Sequence, residues 1–123
     1  MGIDIYMKWE GQTDAEEARQ ITGFSVTAGR FGYLREAYHG GPYATRALVP
    51  EAFEGGGAPI PAAFMRERLP ETLALAKERE QKIYKTTDPK EIALTLKSFV
   101  DFVRLAERME KKTGHPVTII ASY

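Results

Sequence analysis

The segment from Asp88 to Pro116 constrains this chain more than any other. Asp88 is a good helix N-cap, Pro89 suits the first helical position, and Glu91 completes a pattern close to a capping box. Ile92, Leu96, Phe99, Val100, Val103 and Ala106 then recur every three or four residues, which places them on one helical face. Lys111 and Lys112 complement the negative end of the helix dipole, and Gly114 followed by Pro116 ends the run. A helix this long with one apolar stripe must lie on something apolar. Leu94, Phe102 and Leu105 fall outside the main stripe, so a second cover is expected, from a neighbouring helix or from a second copy of the chain.

The surface it needs is written elsewhere. Ile3, Ile5, Met7 and Trp9 alternate with Asp4, Tyr6 and Lys8, the pattern of a strand with one buried face. Val117-Thr-Ile-Ile-Ala121 is β-branched and apolar on both faces, which suits an interior strand. Phe24 and Val26, then Ala28-Gly29, then Phe31-Gly32-Tyr33-Leu34 read as two strands joined by a tight turn. Thr13 and Glu16 form a capping box that opens a short polar helix ending near Ile21. Residues 62–86 are strong helix formers interrupted by Pro70, which predicts one helix to about Arg68 and another from Pro70 to about Lys85. Leu69, Leu73, Ala76 and Ile83 give the second of these a narrow apolar stripe. The expected fold is a two-layer α+β domain over residues 1–123, with an approximately four-stranded mixed sheet backed by two long helices. Its strands are the N-terminal one, the central hairpin and the C-terminal one. The Gly- and Pro-rich stretch around 54–61 reads as a flexible internal loop.

Composition narrows the function classes. With 123 residues and 43% hydrophobic content the chain can build one core. It has no cysteine, which removes disulfides, thiolate nucleophiles and cysteine-type zinc sites. Only two histidines are present, His39 and His115, so neither a metal nor a cofactor is expected. Residues 1–60 carry 5 basic and 8 acidic side chains and the remainder 12 and 9, too mild an asymmetry for a nucleic-acid tract. No secretory signal or membrane span is visible, so the expected setting is cytoplasmic.

The candidate site is the run from Arg30 to Arg46. Tyr38, His39 and Tyr43 surround Gly40-Gly41-Pro42, flanked by Arg35 and Arg46. Guanidinium groups pair with phosphate or carboxylate in a planar fork, and tyrosines stack on flat ligands. Histidine changes charge near neutral pH, which makes His39 the one candidate catalytic group. Arg35, Tyr38, Gly40, Gly41, Tyr43 and Arg46 are the candidate ligand-binding residues. The same stretch also reads as a plain turn with two tyrosines across it. Arg35 and Glu36 must point to opposite sheet faces if 31–38 is a regular strand, so one of them faces the interior and needs a partner.

Three short resemblances bear on these residues. His39-Gly40-Gly41 resembles the oxyanion-hole loops of lipases and esterases, but the nearest counterpart to their Gly-x-Ser-x-Gly elbow, Gly23-Phe-Ser25-Val-Thr27, departs from it. Tyr38-His39-Gly40 resembles the Tyr-His-Gly strand end of diphtheria-toxin-type ADP-ribosyltransferases. That resemblance implies a nicotinamide held by His39 and the Gly40 backbone, but the family's catalytic glutamate has no counterpart on the last strand. Met1-Gly-Ile-Asp-Ile-Tyr6 is similar to the opening of small bacterial and phage-encoded proteins of no assigned activity, which implies a bacterial or phage setting.

The expected function is binding of a small polar or anionic molecule at residues 30–46. The competing expectation is a non-enzymatic interaction protein, a homodimer joined through its helical layer. Neither membrane nor nucleic acid is an expected partner.

Overall fold

The computed structural model describes residues 2–22, 28–83 and 85–123, with the backbone alone of Thr22. The alternation at the N-terminus becomes strand β1 (Gly2–Lys8), with Ile3, Ile5 and Met7 buried and the residues between them partly exposed. β1 pairs antiparallel with β2 (Tyr33–Ala37) on one side and with β4 (Val117–Ser122) on the other. β4 in turn pairs with β3 (Ala58–Ile60), giving the order β2-β1-β4-β3. The apolar C-terminal strand therefore lies inside the sheet, as its two-sided pattern requires.

Every described strand pairing is antiparallel, so the sheet is not mixed. Its fourth described strand comes from the stretch expected to be a loop at 54–61. Pro59 lies in that three-residue edge strand, a position where a missing N–H is tolerated. The expected strand through Phe24 and Val26 lies outside the described residues. Ala28–Phe31 forms a 3-10 turn, and Gly32 follows at φ +87°, so extended structure begins only at Tyr33.

Three of the four described helices were expected at least in part, and the short one at Ala44–Leu48 was not. The capping box of α1 (Asp14–Thr22) is reciprocal: Thr13 N donates to Glu16 Oε1 at 2.9 Å, and Glu16 N to Thr13 Oγ1 at 3.1 Å. That backbone hydrogen bond holds the Glu16 carboxyl below the usual glutamate range. α2 (Ala44–Leu48) is a single short helix after the glycine turn. α3 (Ala62–Lys82) runs straight through Pro70, contrary to the expected break. Arg66, whose carbonyl loses the Pro70 N–H, and Pro70 itself lie on the exposed side, so the defect faces solvent. Met65 and Leu69 before it and Thr72 and Ala76 after it stay buried, and that packing carries the helix across.

α4 (Pro89–Thr113) is capped as its sequence dictates. Asp88 accepts from Lys90 N at 2.9 Å, and Gly114 ends the helix at φ 79° while donating to Glu110 O. Phe99, Phe102, Val103, Leu105, Ala106 and Met109 are all buried against the sheet and α3. Phe102 and Leu105, which motivated a second subunit, are thus covered within the chain. Leu94 alone of that trio stays exposed. Among the described residues no helix is long and apolar enough to cross a membrane.

Candidate functional site

Glu36 and Arg79 organise the region around the glycine turn. Strand alternation puts Leu34 and Glu36 on the core face, opposite Ile5 and Ile3, and leaves Arg35 on the other face opposite Asp4. Glu36 is 6% exposed. Its carboxylate accepts from Ala44 N at 2.7 Å, Thr45 N at 3.0 Å and Thr45 Oγ1 at 2.6 Å, so it satisfies the first turn of α2. Arg79, 4% exposed, supplies the countercharge from α3, with Nε 2.8 Å from Oε2. The Nε–H is not aligned for a hydrogen bond, so this contact is electrostatic.

The remaining guanidinium nitrogens grip the turn itself. Nη1 donates to Gly40 O at 2.6 Å and Pro42 O at 3.1 Å, and Nη2 donates to Ala37 O at 3.0 Å. The same guanidinium lies 4.9 Å from the Tyr43 ring centroid, and Tyr38 meets Tyr43 edge-on at 5.4 Å. One buried arginine therefore fixes both the path of residues 37–42 and the aromatic side chain that follows.

Against this fixed turn, α3 and α2 enclose an open groove of about 590 Å³. Pro42, Ala47, Ala74 and Leu75 supply its apolar surface and Tyr43 its aromatic wall, while Arg46, Glu71 and Glu78 bring charge. Glu71, Ala74, Leu75 and Glu78 share one face of α3 by their spacing of three and four. The Arg46 guanidinium carbon lies over the Phe53 ring, 4.8 Å from its centroid, and Glu78 pairs with Lys82 at 2.7 Å, which lowers its carboxyl below the ordinary value.

Of the residues expected to form the site, the structure brings Gly41, Tyr43 and Arg46 together on this groove. Tyr38 and His39 are exposed at the start of the turn and are not among its lining residues. Gly40 contributes its carbonyl to Arg79 rather than to the groove. Arg35 belongs to a different cluster, on the other sheet face, where its Nη1 donates to Asp4 Oδ1 at 2.8 Å. Tyr33 OH donates to the same oxygen. Burial, with a further contribution from Asp4, pushes the Tyr33 phenol far above its ordinary value, and burial also raises Tyr6. Both phenols therefore stay protonated at neutral pH.

The groove residues of α3 were not read from the sequence, yet a signal for Arg79 exists. Met65, Leu69, Thr72 and Ala76 are spaced by four, three and four, and Arg79 is next in that buried series. An arginine on a buried stripe demands an acid, and Glu36 on the core face of β2 is that acid. Among the described residues no group of three His, Cys, Asp or Glu side chains could hold a metal ion.

Comparison with known proteins adds no constraint on the site: no family model, no curated protein and no solved structure matches this chain.

Proposed function

We propose that this protein binds a small polar ligand in the groove between residues 41–47 and α3. The observation that carries the reading is the convergence of an aromatic wall, an apolar floor and three charged side chains on a turn held rigid by Arg79. Small-molecule sites combine these parts, a mostly apolar surface with a few placed polar groups. Rigidity of the Tyr43 wall lowers the ordering cost of binding. Two carboxylates and one guanidinium line the groove, so a purely anionic ligand is less well matched than a polar one carrying positive charge. His39 plays no part in this reading.

The test is a thermal-shift screen of small polar metabolites against the wild type, Arg46→Ala, His39→Ala and Ala74→Trp. Ala74 is exposed, so the indole fills the groove floor at little cost to folding. Compounds that raise the wild-type melting midpoint should also raise that of His39→Ala and leave Ala74→Trp unmoved. Equal stabilisation of Ala74→Trp by the same compounds would put the site elsewhere.

A further inference from the structure

We infer that the ligand of this groove is a zwitterion, a short apolar body carrying an ammonium group at one end and a carboxylate at the other. The inference rests on the groove being the binding site and goes on to name the class of molecule. Glu71 and Glu78 stand two helical turns apart on α3, roughly 10 Å at the helical rise, with Ala74 and Leu75 between them. Glu78 is already compensated by Lys82. Among the described residues no cation pairs with Glu71, and no carboxylate pairs with Arg46. Arg46 and Glu71 line the same groove without closing on each other in an ion pair.

Each of these two charges thus retains capacity for a charge-assisted contact. The contact with the Phe53 ring supplies no acceptor to the Arg46 N–H groups, and those are the groups that fork onto a carboxylate. Glu71 offers the complementary acceptor to an ammonium. A dianion would meet two carboxylates across the groove, and a diamine would meet Arg46. Only a molecule with both signs uses both unpaired groups, and the small Ala47 and Ala74 side chains leave room for its apolar body beside Tyr43.

Three matched probes test this: para-aminomethylbenzoate, benzylamine and benzoate, with affinities read by saturation-transfer NMR titration. Ala74→Trp identifies which binding belongs to the groove. The expected result is that para-aminomethylbenzoate binds roughly tenfold more tightly than either single-charge probe, the scale of one added charge-assisted contact. Arg46→Gln should reduce it to the affinity of benzylamine and leave benzylamine unchanged. Glu71→Gln should reduce it to the affinity of benzoate and leave benzoate unchanged. Equal groove affinity of either single-charge probe would overturn the zwitterion assignment and leave the groove as a binding site. If no probe shows binding that Ala74→Trp removes, the zwitterion assignment fails. The groove reading itself would then stand or fall on the thermal-shift screen.

Discussion

Arg79 and Glu36 face each other in the interior with 2.8 Å between Nε and Oε2, one from the long helix α3 and the other from the edge strand β2. Among the described residues the pair's side-chain hydrogen bonds go to the end of β2, to the turn after it and to the first turn of α2. The pair thus ties the sheet, the glycine turn and the helical layer together beneath the groove. Burying two charges is costly, and removing one partner alone is worse than removing both.

Arg79→Met should therefore destabilise the protein by about 3–5 kcal/mol, the range for breaking a buried pair. It strands the Glu36 carboxylate and the carbonyls of Ala37, Gly40 and Pro42. Adding Glu36→Gln to it should cost less than the sum of the single changes, by about 0.5–3 kcal/mol. Urea unfolding of the two single variants and the double variant measures this, and strict additivity would contradict it.

Gly29 shows how closely the 3-10 turn approaches α4. A Cβ added there would sit 1.9 Å from Ser98 O and 2.6 Å from its carbonyl carbon, both backbone atoms that cannot swing aside. Gly29→Ala should cost at least the ~1–3 kcal/mol of an overpacked core. Ser98→Ala removes the acceptor of the buried Gly29 N–H, 3.1 Å away, and should cost about 1–3 kcal/mol. Thermal unfolding of both variants checks the contact, and a neutral Gly29→Ala would contradict it.

Helix association has a simple test. Phe102 is fully buried within one chain, so Phe102→Ala should cost about 3–5 kcal/mol at any protein concentration. If a dimer forms through the helical layer, the exposed Leu94 is the residue of that set left to make it. Leu94→Asp should then shift the sedimentation coefficient without unfolding the chain. An unchanged coefficient would exclude Leu94 from any self-association.

Acid should weaken the protein in a defined window. The Arg68 guanidinium, bidentate on Glu51 at 2.8 Å for both contacts, holds that carboxyl below the ordinary glutamate value, and Arg66 does the same for Glu107. Each folded pKa lies under the unfolded value of about 4.3, so the unfolded state binds more protons as pH falls. The stabilisation is fully present above that value and is lost on descent through the folded pKa. These side chains are partly exposed, so each pair contributes under about 1 kcal/mol. Glu51→Gln should flatten the stability profile below pH ~5 relative to the wild type, and the two profiles should differ less at high salt. Parallel profiles would contradict the pairing.

How much of this was legible follows from what each signal reports. The caps of α1 and α4 and the alternation in β1 are local, and the structure reproduces them. The opposite facing of Arg35 and Glu36 was local too, and it correctly implied that one of them enters the interior with a partner. That partner was missed, because Arg79 lies 43 positions downstream and the buried series that marks it crosses Pro70, where the helix was expected to break. Tertiary packing of Met65, Leu69, Thr72 and Ala76 overrode the proline. β3 was missed because Gly55-Gly-Gly57 and Pro59 carry loop signals, while its pairing with β4 is a long-range contact. For the same reason half of the groove, the α3 face from Glu71 to Glu78, was invisible from the loop that faces it.

The most direct test of the account is amide chemical-shift mapping of the wild-type protein with the compounds that stabilise it. The largest shifts should fall on residues 41–47 and 71–78, with His39 and the Asp4–Arg35 cluster little changed. Shifts concentrated on the Asp4–Arg35 face of the sheet, with the groove silent, would contradict it.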